Sequence, residues 1–139
     1  MNRITILLFS LSLSCIVLSG CESGMGSSKK AIDGRTLHSG STTQMTAKVG
    51  EVIELGLPGN AGTGFTWSIA GDLPGCVKKV AEPYFKADHP ELPGSSGTTR
   101  FRFEAVEAGS GSIRFEYARP WEKDARPARW SVVEITVGG

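Results

Sequence analysis

The sequence predicts an all-β fold, a sandwich or barrel of short strands around one core. Two observations support this class. Apolar and polar residues alternate over short runs, and glycine or proline recurs between the runs. After residue 21, no segment of useful length shows the apolar period of an amphipathic helix. We expect one folded domain at residues 42–139, a size that supports a single core.

Seven runs have the pattern of strands, and they lie at residues 44–49, 51–57, 65–69, 77–81, 98–106, 111–117 and 128–137. The alternation is clearest in the fifth run, where Phe101 and Phe103 oppose Arg100 and Arg102. An immunoglobulin-like sandwich of about seven strands is the natural architecture at this length. Strand parity assigns six aromatic residues to the core: Phe65, Trp67, Phe101, Phe103, Phe115 and Trp130.

Two connections in this pattern carry their own predictions. Residues 107–111 contain glycine at both ends of a serine and have the composition of a hairpin turn. In the last run the apolar parity switches between Val132 and Val133. That switch predicts a bulge or a change of sheet.

The N-terminal segment, residues 1–20, has the pattern of a secretory signal. Arg3 precedes an apolar run that is too short for a comfortable membrane span. Leu18, Ser19 and Gly20 before Cys21 resemble a bacterial lipobox, in which the cysteine is acylated and becomes the first residue. The alternative is an ordinary cleaved signal with an incidental cysteine. The lipobox is favoured because the motif falls where the apolar run ends.

Residues 21–41 follow as a stretch rich in glycine and serine, and we expect a flexible tether there. The folded domain is then expected to begin near Thr42. More than one acyl chain on Cys21 would give stable anchoring. The predicted location is the bacterial cell envelope, on the periplasmic side, with inner and outer membrane both left open.

Composition and histidine spacing exclude several classes of function. The chain has 15 Lys and Arg against 14 Asp and Glu, so loss of Arg3 with the signal leaves 14 of each. A neutral domain argues against nucleic-acid binding. His38 and His89 do not have zinc-ligand spacing, and no phosphate loop or dinucleotide fingerprint is present. We expect no catalytic residues, no metal and no cofactor.

The cysteines leave one enzymatic alternative. Cys15 is lost with the signal and Cys21 is the predicted lipid site, so Cys76 has no internal disulfide partner. Cys76 and His89 could be imagined as nucleophile and base. A lone thiol near a Pro-Gly turn is the favoured interpretation.

Three segments between strands stand out as candidate binding loops. Loop 1, residues 60–65, consists of Asn60, Ala61, Gly62, Thr63, Gly64 and Phe65, and Trp67 follows. Its glycines permit positive φ and close approach to a partner, and the asparagine side chain can fix the turn. On composition alone, a simple hairpin turn would explain the segment equally well.

Loop 2, residues 94–99, begins with Gly94, Ser95, Ser96 and Gly97. We expect its backbone N–H and C=O groups to be open for pairing with an extended partner. The alternative is a disordered loop, since residues 83–99 are rich in proline, glycine and serine.

Loop 3, residues 119–121, consists of Arg119, Pro120 and Trp121. The proline stiffens the turn, so the indole is presented at low entropic cost. Tryptophan and arginine are the residue types most often found as interface hot spots. The alternative is that Trp121 folds back over the sheet edge.

In order, spacing and β setting, the three loops resemble the chagasin family of cysteine-protease inhibitors. The resemblance covers about the last two-thirds of the chain. It implies a β-sandwich with the loops side by side at one end, where they plug the active-site cleft of papain-like proteases reversibly and without a cofactor. It also implies that loop 1 lies over the catalytic cysteine and Trp121 near the catalytic histidine.

The match to the family motifs is uneven. Loop 3 matches Arg-Pro-Trp residue for residue, whereas loop 2 has serine at two positions of a glycine-rich motif. Loop 1 keeps the family's asparagine, second threonine, glycine and aromatic residue, but Ala61 and Gly62 replace proline and the first threonine. In the family that threonine faces the catalytic centre. A flexible Ala-Gly pair should also raise the ordering cost of binding.

A second function stays open at this point. Immunoglobulin-like folds host many roles, so the chain could be a non-inhibitory periplasmic lipoprotein that acts as scaffold or chaperone for an envelope protein. In either role we expect a monomer.

Overall fold

The computed structural model describes residues 31–139, with side chains from residue 34 onward. The predicted signal segment 1–20, the predicted lipid site Cys21 and the first part of the predicted tether lie outside the described residues. Within residues 31–139, no helix is long and apolar enough to cross a membrane.

Eight strands form the described domain: β1 (Ala31–Thr36), β2 (Thr42–Lys48), β3 (Val52–Asn60), β4 (Thr66–Ala70), β5 (Val77–Ala87), β6 (Ser96–Ala105), β7 (Gly109–Ala118) and β8 (Arg129–Gly138). A short 3-10 turn at Ala61–Thr63 follows β3. The first sheet has the order β1-β3-β6-β5 and the second has the order β2-β8-β7-β4. The predicted all-β sandwich is therefore confirmed.

The core lies between the two sheets and is built on aromatic residues. Phe101, Phe103 and Phe115 are at most 1% exposed, and the rings of Phe101 and Phe115 lie 4.8 Å apart. Trp67 is also buried, and its indole N–H donates to the Pro58 carbonyl at 3.0 Å. Burial of each such side chain contributes roughly 1.5–3 kcal/mol relative to exposure. These core predictions follow from strand parity and are confirmed.

The predicted tether was too long at its C-terminal end. β1 lies inside residues 21–41 and pairs in parallel with β3. Leu37 is fully buried, and its amide donates to the Gly56 carbonyl at 2.8 Å. The folded domain therefore begins before Thr42. The open edge of β3 recruits a segment that has little strand pattern of its own, so tertiary context overrides local propensity.

The predicted hairpin at residues 107–111 is wrong. β6 belongs to the first sheet and β7 to the second, so the connection crosses between sheets. Each strand buries one face, and this alternation is the same for a hairpin as for two strands in facing sheets. Sequence periodicity therefore could not distinguish the two arrangements.

The predicted bulge in the last strand is also wrong. β8 pairs with β7 in unbroken antiparallel register from Arg129 to Val137. Ser131 occupies a core position with no exposed surface, which places Trp130 and Val132 on the outward face. Trp130 is therefore half-buried beneath the Arg114 guanidinium, 5.4 Å from its ring centre, and is not a core residue. The small polar serine in a buried position produced the apparent switch in parity.

β5 is longer than the predicted run 77–81 and forms an edge of the first sheet. Its pairing with β6 is irregular on either side of Ala81. Pro83 is tolerated because a strand at the edge needs hydrogen bonds on one side only. Tyr84 and Phe85, which lie beyond the predicted run, are exposed on this edge strand.

A carboxylate bridges two arginines on the outward face of the first sheet. Glu54 accepts hydrogen bonds from Arg102 at 2.6 Å and from Arg100 at 2.5 Å. The Arg102 hydrogen bond is the largest cause that holds the pKa of Glu54 below its usual value, burial opposes it, and Arg100 adds to the lowering. The cluster thus links β3 to β6.

This lowered pKa predicts a pH dependence of stability. A carboxyl group with a lower pKa in the folded state contributes stability that is complete above its unfolded value and is lost as pH falls through the folded value. We expect the difference in unfolding midpoint between the protein and Glu54→Gln to be constant near neutral pH and to shrink below the ordinary value of 4.5. Thermal melts from pH 7 to pH 3 measure it. Glu82→Gln, whose side chain is 84% exposed, is the matched control. A difference that grows on acidification would contradict the account.

Candidate functional site

The topology gathers the three predicted loops at one end of the sandwich. β3 ends where loop 1 begins, β6 starts within loop 2, and β7 ends immediately before loop 3. The antiparallel pairs of Asn60 with Ser96 and of Tyr117 with Arg129 are the last in their ladders. All three loops therefore leave the sheets at the same end.

Loop 1 is a single 3-10 turn held by its own residues. The Asn60 side chain accepts from the Gly62 amide at 2.8 Å, and the Gly64 amide donates to the Ala61 carbonyl at 3.2 Å. Gly64 has φ of 76°, in the left-handed region that glycine adopts without strain. The Thr63 hydroxyl donates to the Asn60 carbonyl at 2.7 Å. The matched residues of this motif therefore shape the loop.

The two residues that depart from the family motif form the exposed tip of loop 1. Ala61 and Gly62 are both exposed, and no residue of the 3-10 turn Ala61–Thr63 is buried. A Cβ atom on Gly62 would lie 3.0 Å from the Gly94 Cα and 3.1 Å from the Asn60 Oδ1. The glycine therefore allows loops 1 and 2 to lie against each other. A threonine here would require a shift of a few tenths of an ångström.

Loop 3 is a tight turn whose tryptophan lies on loop 1. The Glu122 amide donates to the Arg119 carbonyl at 3.0 Å, which places Pro120 and Trp121 at the central positions. A Cβ atom on Gly64 would be 2.6 Å from Trp121 Cη2, so the indole covers the open side of that glycine. The indole is nevertheless 66% exposed. Its other face is free for a partner, and it is not part of the core.

Arg119 connects loop 3 to loop 1 by its side chain. Its guanidinium lies 4.5 Å from the ring centre of Phe65, and its Nε donates to the Thr63 carbonyl at 3.4 Å. It also pairs with Glu122 at 3.1 Å. Phe65 is half-buried against the core, which confirms its core-side parity and gives it a second role as the platform of the arginine.

Loop 2 is shorter than predicted. Ser96 and Gly97 belong to β6 and pair with β3 on one side, while Gly97 also pairs with β5 on the other. The Ser96 carbonyl accepts from the Asp88 amide, and Gly97 is buried. The expectation of open backbone groups at these two residues is therefore wrong, because the sheet already uses them. The exposed part is the turn around Gly94, where φ is 76°.

Tyr117 is a residue of this site that none of the three sequence motifs includes. It is 6% exposed, yet its hydroxyl reaches the backbone of Asn60. Two signals pointed to it: a buried tyrosine needs a partner for its hydroxyl, and this one precedes loop 3 by two positions.

The structure argues against Cys76 and His89 as nucleophile and base, because they lie at opposite ends of β5. Cys76 immediately precedes β5 and His89 follows its end, so the whole strand separates them. Cys76 is buried, and the His89 ring contacts Glu91 at 3.2 Å in an exposed loop. Among residues 34–139, no three His, Cys, Asp or Glu side chains are arranged to hold a metal ion. His38 lies in the connection between β1 and β2.

Sequence comparison identifies relatives over most of the described domain. Residues 46–137 match the family described as Chagasin family peptidase inhibitor I42. Chagasin from Trypanosoma cruzi is 35% identical over 88 residues, which cover 60% of this chain and 77% of chagasin. Amoebiasin-2 from Entamoeba histolytica is 28% identical over 89 residues, which cover 63% of this chain and 71% of the relative.

Solved structures agree on the fold. The crystal structure of the cysteine protease inhibitor EhICP2 from Entamoeba histolytica matches with a TM-score of 0.60 at 24% identity, covering 78% of this chain and 96% of that one. PbICP-C, solved in complex with falcipain-2, matches with a TM-score of 0.55 at 22% identity, covering 76% and 98%. The chain therefore belongs to the chagasin family of peptidase inhibitors, and it is not an enzyme.

Proposed function

We propose that this cysteine-protease inhibitor acts on papain-like enzymes by filling their active-site cleft with loops 1, 2 and 3. The observation that carries the proposal is the contact of the three loops at one end of the sandwich. Trp121 covers Gly64, and Gly62 lies against Gly94. The loops thus form one continuous ridge, with an exposed indole on one flank and a small neutral tip in the middle.

The physical chemistry of the ridge suits a blocking role. Ala61 and Gly62 present little side-chain bulk, so the backbone of loop 1 can approach the floor of a narrow cleft. The internal hydrogen bonds of Asn60 hold the turn before binding, which reduces the ordering cost. PbICP-C was solved in complex with falcipain-2, and this supports a protease as the binding partner of the ridge.

Competition with a substrate tests this mode of action. With papain as the probe, we expect inhibition by residues 22–139 to be competitive with a small peptide substrate. The bound inhibitor should protect the catalytic cysteine from alkylation, and mass spectrometry should find the inhibitor chain intact after prolonged incubation. Cleavage within loop 1 would instead make the chain a substrate. Non-competitive inhibition with an alkylatable cysteine would place the ridge outside the cleft.

We also propose that acylated Cys21 anchors the domain to the bacterial envelope. The support is the sequence pattern of residues 18–21 at the end of the apolar run. Expressed in a bacterium with the full signal, the chain should fractionate with membranes, and Cys21→Ala should release it to the soluble periplasmic fraction. Fractionation and mass spectrometry of the N-terminal peptide measure this. Equal membrane association of the Cys76→Ala control and of Cys21→Ala would contradict lipid anchoring.

A further inference from the structure

The hydroxyl of Tyr117 binds both backbone groups of a single residue in loop 1. It accepts a hydrogen bond from the Asn60 amide at 2.9 Å and donates one to the Asn60 carbonyl at 3.1 Å. One side-chain hydroxyl therefore satisfies a backbone donor and a backbone acceptor, as a neighbouring strand would do. This contact sits at the point where β3 ends and loop 1 begins.

Sheet geometry explains why Asn60 needs this partner. Asn60 is opposite Ser96 in the β3–β6 ladder, and the Ser96 carbonyl accepts from Asp88 on the far side. In an antiparallel pair, the backbone N–H and C=O groups of two directly opposed residues either bond each other or both point away from the partner strand. The Asn60 groups therefore point to the other edge of β3. β1 covers that edge only as far as Gly56, where it ends.

The tyrosine ring is held by contacts with three neighbouring side chains. It stacks with Phe65 at 5.3 Å between centroids and tilts against Trp67 at 5.0 Å. The Arg129 guanidinium lies 5.4 Å from its centre. A hydroxyl on so constrained a ring has little freedom to move away from Asn60. Its strand, β7, also leads directly into loop 3.

We propose that Tyr117 is a positioning residue that locks loop 1 to loop 3 and so preorganises the inhibitory ridge. It replaces the missing strand beside the end of β3 and fixes Asn60, the cap from which the 3-10 turn starts. Arg119, two residues later, binds the far end of the same loop at Thr63. The two loops then behave as one unit although they connect different pairs of strands. This inference deepens the proposed function and rests on it for its effect on inhibition.

Amide hydrogen exchange tests the positioning role without any protease. In the unaltered protein, the Asn60 amide should exchange more slowly than the exposed amides of loop 1, although none of the described strands pairs with it on that edge of β3. Tyr117→Phe keeps the stacked ring and removes the hydroxyl. In this variant the Asn60 amide should exchange at least about tenfold faster, while amides of the central strands keep their rates. Fast exchange of Asn60 in the unaltered protein would overturn the inference whatever the variant does.

Inhibition of papain then tests the consequence. Tyr117→Phe should weaken inhibition about tenfold, because the protease must now order the loop. In the complex, the Asn60 exchange rates of variant and unaltered protein should converge. Tyr84→Phe, which removes the hydroxyl of the exposed tyrosine on β5, should change neither quantity. Unchanged inhibition by Tyr117→Phe, with Asn60 deprotected, would refute the positioning role. Failure of the unaltered protein to inhibit would refute the proposed function and leave the exchange result standing.

Discussion

Replacing Trp121 by alanine is expected to weaken inhibition of papain by about 2 kcal/mol or more, a loss of at least about 30-fold. The indole is 66% exposed and rests on a glycine at the edge of the ridge, so its loss removes contact area without opening the core. The unfolding midpoint should stay within about 2 °C of the original, because surface changes of this kind are nearly neutral for stability.

Trp130→Ala is the matched control for this experiment. Its indole is half-buried on the outward face of the second sheet and lies beneath Arg114, and it is not part of loops 1, 2 or 3. This variant should lose some stability, and its inhibition constant for papain should not change. If Trp121→Ala instead unfolds the domain, or inhibits as well as the unaltered chain, Trp121 is not an interface residue.

Among the variants proposed here, Gly97→Ala is expected to lose the most stability. Its free energy of unfolding should fall by about 3 kcal/mol and its thermal unfolding midpoint by more than ~10 °C. A Cβ atom there would lie 2.3 Å from the Lys86 carbonyl oxygen and 2.8 Å from the Ala87 Cα. These are backbone atoms of the neighbouring strand, so β5 would have to separate from β6 to make room. The cost falls on the sheet that supports loop 2.

Gly138→Ala provides the matched control, since a Cβ atom in that strand would meet only the Ala47 carbonyl oxygen, at 4.0 Å. Thermal and urea unfolding measure both variants. An unchanged midpoint for Gly97→Ala would show that β5 adapts easily and that Gly97 serves only as a contact residue. The expected result assigns this glycine a structural role, although the sequence grouped it with the binding loop.

The sequence predicted the fold class and the aromatic core because strand periodicity and burial follow one rule. Phe101 and Phe103 face the core whichever strands form the opposite sheet. Connectivity between sheets obeys no such local rule, so the hairpin predicted at residues 107–111 was wrong. β1 was missed for a related reason, since its pairing depends on the free edge of β3.

Three short motifs predicted the candidate site in outline. They did not predict which residues hold the loops in shape and which are exposed to a partner. The motif residues Asn60, Thr63 and Gly64 bond within loop 1, and the exposed tip consists of residues that depart from the motif. Only the geometry separates residues that shape a loop from those that meet a partner. The same holds for Tyr117, whose hydroxyl binds a residue 57 positions away in sequence.

Titration of active papain with residues 22–139 shows whether the ridge of three loops blocks a papain-like active site. We expect tight, stoichiometric inhibition with one inhibitor per active site and a dissociation constant in the nanomolar range, which corresponds to a binding free energy of about −12 kcal/mol. Such a result would show that Gly62 is tolerated at the tip of loop 1. If a folded sample leaves papain and a broader panel of papain-like proteases fully active at micromolar concentration, the ridge does not inhibit papain-like proteases.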